Sequence, residues 1–123
     1  MKHDESRIQR SCIKWFRYQY PKHVLFAIPN GGRRWKTEAK IMNGEGVMAG
    51  VADLFLAHPS KNNAGTIVHG LFVEMKSEKG IHQESQKDFE RKVFAQGYDY
   101  EVCRSFDEFK KVVENYLKPN KHE

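Results

Sequence analysis

Cysteine is scarce in this chain. Cys12 and Cys103 are the only two among 123 residues, too few and too far apart for a zinc motif or a disulfide framework. Both read as reduced, cytosolic, mostly buried thiols. Long apolar runs are absent as well, so no segment reaches the length needed to cross a bilayer, and no membrane association is expected. The opening residues Met1-Lys2-His3-Asp4-Glu5 are polar and run straight into a helical pattern. That leaves no place for a signal peptide and makes a cytoplasmic protein the expectation. The histidines (His3, His23, His58, His69, His82 and His122) include no pair at ligand spacing and read as surface or loop residues. Internal repeats are absent too, and only 118–123 has the composition of a loose tail.

Acidic residues are outnumbered, 16 against 21 Lys and Arg, for a net charge of +5. A basic balance fits a polyanionic partner without requiring one. Eight Phe, five Tyr and two Trp supply enough apolar bulk to exclude a disordered chain. The length suits one domain with a real core, residues 1–117, and not two.

Periodicity gives the order of elements. Ile8, Cys12, Trp15 and Phe16 form an apolar stripe at helical spacing over 4–20, stopped by Pro21, with Glu5 at the top of the stripe. A short strand over 24–28 ends at Pro29-Asn30-Gly31-Gly32, a strong turn, and 37–43 suits a short helix. Gly44, Gly46 and Gly50 make a flexible entry to a hairpin whose strands are the apolar runs 51–57 and 70–76. A helix over 83–96 closes at Gly97, a strand covers 98–103, and Ser105-Phe106-Asp107-Glu108 is a capping box for a last helix. Its inward residues are Phe106, Phe109, Val113, Tyr116 and Leu117. The order α-β-(α)-β-β-α-β-α predicts an α/β domain of the α+β type, a mixed sheet flanked by helices.

Three charged residues stand out because they interrupt the apolar runs. Asp53 lies within the first, Glu74 and Lys76 within the second. Residues two apart share a strand face, so Glu74 and Lys76 project together, about 7 Å apart along the backbone. Asn62-Asn63-Ala64-Gly65 favours a turn. A hairpin folding between Asn63 and Ala64 pairs position i with 127 − i and sets Asp53 opposite Glu74, roughly 5 Å away. Carboxylates that close repel, and a magnesium or manganese ion held through oxygen ligands relieves the repulsion. An exposed edge hairpin with its charges in water explains the same spacing. Gln86 adds to the pattern: it shares the inward side of its helix with Phe89 and Val93 and needs a hydrogen-bonding partner, supplied by the end of the Glu74 strand or by backbone and water.

Together these residues resemble the PD-(D/E)xK nuclease superfamily, and more specifically a stand-alone VRR-NUC domain of the phage and bacterial kind. The resemblance is carried by Glu5 with Ile8-Gln9, Pro29-Asn30-Gly31-Gly32, the run Gly46–Asp53, Glu74-Met75-Lys76, Gln86, Gly97-Tyr98 and Val102-Cys103-Arg104-Ser105. It spans nearly the whole chain in order. Gln83 stands where the family commonly has the serine of Ser-x-x-Gln, and Ala52 replaces the proline of the superfamily's name. The implied fold is restriction-endonuclease-like, and the implied location a bacterial or phage-infected cell.

The implied activity is metal-dependent, structure-selective DNA endonuclease, resolving Holliday junctions as a homodimer. By the same resemblance Asp53 and Glu74 ligate Mg²⁺ or Mn²⁺, the Met75 carbonyl adds a ligand, and Glu5 reaches the ion directly or through water. Lys76 holds the attacking water or the scissile phosphate, and Gln86 positions Lys76 or the water. Asn30, Arg33, Arg34 and Lys36 form a basic loop suited to phosphate contacts, with Trp35 able to stack on an exposed base; a solvated loop is the plainer reading. Trp15, Trp35, Tyr18 and Tyr20 offer apolar surface for a dimer. The alternatives are a flap or nicking nuclease of a phage replication or restriction system, and a catalytically inactive DNA-binding module.

Overall fold

The computed structural model describes residues 2–29 and 44–118. The short helix expected over 37–43, the basic loop with Asn30, Arg33, Arg34, Trp35 and Lys36, and the tail beyond Lys118 lie outside the described residues. Helix α1 (Lys2–Gln19) forms on the expected stripe: Cys12 and Phe16 are fully enclosed, with Ile8 and Trp15 packed at the margin. Strands β1 (Leu25–Ala27), β2 (Leu54–Leu56), β5 (Leu71–Met75) and β6 (Asp99–Cys103) make one mixed sheet in the order β1-β2-β5-β6. The first three run antiparallel and β6 runs parallel to β5. A parallel neighbour needs a crossover, and helix α2 (Glu84–Ala95) provides it.

Alternation along the strands sorts side chains into two layers. Leu54, Leu56, Leu71, Val73, Met75 and Cys103 face α1 and the last helix, α3 (Phe106–Leu117). Phe72, Tyr100 and Val102 face α2, packing with its Phe89 and Val93. Ser105 caps α3 as expected, its Oγ accepting from the Glu108 N–H at 3.1 Å. The Glu108 carboxylate closes back on the Arg104 N–H instead of that of Ser105, at 2.7 Å. Helix α2 has Gln96 as its C-cap, and Gly97, at φ +93°, is the next residue, where the left-handed turn favours glycine. No described helix is long and apolar enough to cross a membrane.

The hairpin departs from expectation in one respect. Between β2 and β5 the 127 − i register holds: Leu54 pairs with Val73, Phe55 with Phe72, Leu56 with Leu71. Beyond it, β3 (Ser60–Lys61) and β4 (Ile67–Val68) form a separate ribbon pairing Ser60 with Val68 and Lys61 with Ile67, one residue out of step. Ala57, His58 and Pro59 on one side face only His69 and Gly70 on the other. The two sides turn to different partners there, Ala57 N–H to the Val24 carbonyl at 2.9 Å and His69 N–H to that of Gly97 at 2.8 Å. The turn therefore centres on Ala64: Asn62 Oδ1 accepts from the Ala64 and Thr66 N–H groups at 3.0 and 2.9 Å.

The apolar surface assigned to a dimer is also partly spent within the fold. Trp15 makes edge contacts with Tyr20, Phe106 and Phe109, its ring centroid 5.8 to 6.2 Å from theirs. Only Tyr18 of the described members of that set stays well exposed, at 85%.

Candidate active site

Lys76 and Glu74 leave the carboxyl end of β5 on the face that α2 covers, as their two-residue spacing requires. They are only 8% and 4% exposed, because β5 lies between β2 and β6 and not at an edge. The water-facing hairpin is thereby excluded. Asp53 directly precedes β2, on the side facing Glu74 by extension of the register. Its Oδ2 accepts from the Met75 N–H at 2.8 Å, and its carbonyl accepts from Ile28 N–H at 2.8 Å. Asp53 is thus tied to the strand on either flank.

Gln86 finds its partner at the end of the Glu74 strand. Its Nε2 donates to Glu74 Oε2 at 2.9 Å, while its Oε1 accepts from the Gln83 N–H at 2.7 Å. Lys76 Nζ lies 3.7 Å from that same Oε2. Glu74 Oε1, also buried, has no hydrogen-bond partner. Glu5, in the first turn of α1, accepts from the Ser77 N–H at 3.3 Å and raises the proton affinity of both Asp53 and Glu74 by its charge. The loop after Lys76 is stapled by Arg104, whose Nη1 donates to the carbonyls of Ser77 and Gly80 at 2.9 and 2.6 Å.

Burial first, and then the neighbouring Asp53 charge, push the Glu74 carboxyl up to about 8, against the pull of Lys76. Asp53 is raised as well, chiefly by burial, although the Met75 N–H draws it down. The sign of the stability effect follows. Between the ordinary Glu range near 4.5 and about 8, the folded chain keeps a proton that the unfolded chain has released. Stability therefore falls as pH rises through that window, by at most about 1.4 kcal/mol per pH unit for one proton, and levels off above it. Urea unfolding at a series of pH values in metal-free buffer measures this slope. Glu74→Gln is expected to flatten it, and an unchanged slope would clear Glu74 of responsibility.

The structure thus brings Asp53, Glu74, Lys76, Gln86, Glu5 and the Met75 backbone to one strand end. Asn30, Arg33, Arg34 and Lys36 fall outside the described residues. Among the described residues no three His, Cys, Asp or Glu side chains stand together as a ready metal cluster; the acids form a pair, with Glu5 held on Ser77. Sequence reasoning missed the role of one neighbour, Arg104, and the contacts of another, the loop residue His82. Arg104 entered only as part of a motif, not as a loop staple. His82, read as a surface or loop residue, is half-buried, with Nε2 3.0 Å from Glu90 Oε1 and its ring 5.7 Å from that of Tyr100. Alternation in β6 could have flagged Tyr100 and Val102 as sharing the Glu74 face.

No curated protein matches this chain. One solved structure, described as a VRR_NUC domain protein, superposes with a TM-score of 0.77 over 93% of this chain and 88% of its own, at 23% identity. That likeness establishes the restriction-endonuclease-like fold. The family model described as VRR-NUC domain matches residues 3–107, a span running from the first helix through the Asp53 and Glu74 strands to the start of α3. The chain accordingly belongs to the VRR-NUC family within the PD-(D/E)xK superfamily, and is a nuclease of the restriction-endonuclease-like type.

Proposed function

We propose that this chain is a magnesium- or manganese-dependent, structure-selective DNA endonuclease, acting on branched DNA as a homodimer. The observation that carries the reading is the buried carboxyl pair, Asp53 and Glu74, beside Lys76 at the end of β5. Two acids desolvated together are costly unless a cation joins them. The residues fit a hard divalent ion: Glu74 Oε1 is buried without a partner, and carboxylate and carbonyl oxygens are the donors such ions prefer. Asp53, Glu74 and the Met75 carbonyl would hold it, with Glu5 in reach directly or through water. When bound, the ion supplies charge neutralisation at the phosphoryl oxygens and an activated water.

The remaining work falls to side chains. Lys76 holds the attacking water or the scissile phosphate and stabilises the negative charge that builds there. Gln86, fixed at both ends of its amide, keeps Glu74 in place and thereby sets the position of Lys76. Asn30, Arg33, Arg34 and Lys36 are proposed to bind the DNA backbone, a role supported by their composition. Junction cleavage by two copies rests on the family resemblance and on the exposed Tyr18 and Phe26.

Incubation of four-way junctions, flaps, nicked and linear duplexes with Mg²⁺, Mn²⁺ or EDTA tests the reading. Cleavage of junctions that requires the metal is expected. Preferential cutting of flaps, or nicking, would reassign the enzyme to phage replication or restriction. Binding to DNA with no cutting under any metal would make it an inactive binding module.

A further inference from the structure

Three buried side-chain atoms among the described residues lack a hydrogen-bond partner: Glu74 Oε1, Tyr100 Oη and His82 Nδ1. Buried polar atoms are nearly always satisfied, so each one needs a reason. These three residues fall together on the sheet face that α2 covers. Across the parallel β5–β6 ladder Tyr100 stands beside Phe72, and Glu74 beside Val102. Tyr100 and Glu74 are therefore diagonal neighbours on one face, a separation that long side chains bridge. The His82 ring packs on Tyr100 at 5.7 Å, and Phe89 of α2 packs on Tyr100 at 6.3 Å. Glu90, also on α2, takes His82 Nε2 at 3.0 Å.

The hydrogen-bonding capacities are complementary. Glu90 favours the tautomer with the proton on Nε2, which leaves Nδ1 as an acceptor. Tyr100, a phenol, is a donor. A Glu74 carboxylate that holds a cation presents Oε1 as an acceptor with two lone pairs. One water accepting from Tyr100 Oη and donating to both His82 Nδ1 and one lone pair of Glu74 Oε1 satisfies all three atoms and leaves the second lone pair of Oε1 for the cation; three partners are typical of a buried water.

We propose that Glu74, Tyr100 and His82 bound an internal water site, and that Tyr100 and His82, the latter anchored by Glu90, are positioning residues that orient the Glu74 carboxylate toward its cation. The inference rests on the metal reading given above. Groups behind a metal ligand commonly govern how tightly the ion is held.

Tyr100→Phe removes the hydroxyl and keeps the packed ring, so it tests the idea without dismantling the core. Its Mn²⁺ dissociation constant, measured by titration calorimetry on the full chain without DNA, is expected to rise about 10- to 100-fold. Its metal-free melting temperature should stay close to wild type, a combination that a purely structural role would not produce. His82→Leu should weaken Mn²⁺ binding in the same way, and His82→Gln, which restores an acceptor, should recover part of the loss. A crystal structure that shows ordered water should place one between the three atoms in the wild type and none in Tyr100→Phe. Equal Mn²⁺ affinity in wild type and Tyr100→Phe, or no bridging water in the wild type, overturns this inference and leaves the metal site standing. A wild-type chain that takes up no Mn²⁺ removes the metal site and this inference together.

Discussion

Lys76→Ala should fold like the wild-type chain and cleave DNA at least about a hundredfold more slowly, the usual cost of deleting one preorganised group that faces developing charge. Lys76 is the cation within 3.7 Å of Glu74 Oε2, placed at a strand end by backbone pairing of its N–H with the Cys103 carbonyl at 3.0 Å. That pairing does not involve the side chain, so truncation leaves β5 and β6 joined. Glu74, already inclined to keep its proton, tolerates the loss without becoming an isolated buried charge. Asp53→Ala should lose cleavage as well, with a stability cost near 1 kcal/mol for the freed Met75 N–H. Single-turnover cleavage under saturating Mg²⁺, alongside circular dichroism melts, separates the two effects. Either variant cutting at the wild-type rate would remove that residue from the chemistry.

The second large effect belongs to Gly50. A Cβ there would fall 2.2 Å from the Ser85 carbonyl oxygen and 3.0 Å from the Gln86 nitrogen, both backbone, at a φ of +85°. Neither atom can swing aside. Gly50→Ala should destabilise the fold by about 3 kcal/mol, combining left-handed strain with overpacking. It should also lift the start of α2 away from the Asp53 segment, so that Gln86 loses Glu74. Gly46→Ala is the matched control, with φ +100° and nothing within 4 Å; it should show the backbone strain alone, about 1–2 kcal/mol. Urea titration of both variants measures the difference. Equal losses would mean that the close approach to α2 is not tight.

Much of this was readable from the chain because it depends on short-range rules. Period-two alternation placed Glu74 and Lys76 on one face, and the 127 − i register of β2 and β5 followed from the apolar runs and the turn between them. Helical spacing found the buried stripe of α1 and the inward side of α2. What stayed hidden depends on which elements meet. The ribbon of β3 and β4 falls out of step because Ala57 and His69 are claimed by Val24 and Gly97, partners distant in sequence. Trp15 belongs to the inward stripe yet also counts with Tyr20 toward a dimer surface, and the second reading gives way once α3 brings Phe106 and Phe109 against Trp15. The grip of Arg104 on the loop after Lys76, and the tilted packing of His82 on Tyr100, required β6 to dock beside β5.

The out-of-step ribbon has a bearing on how freely this chain can vary. Ser60 Oγ donates to the Tyr116 carbonyl at 2.7 Å, and the Tyr116 hydroxyl donates to the His58 carbonyl at 2.6 Å, so the arm is moored to α3 independently of the main sheet. The odd residue is absorbed at the mooring itself, between β2 and β3, and the acids lie at the opposite end of β2 and β5. Additions or losses at the tip, around 62–66, should therefore leave the candidate site in place, whereas a single residue gained inside β2 or β5 would turn an acid toward the opposite layer.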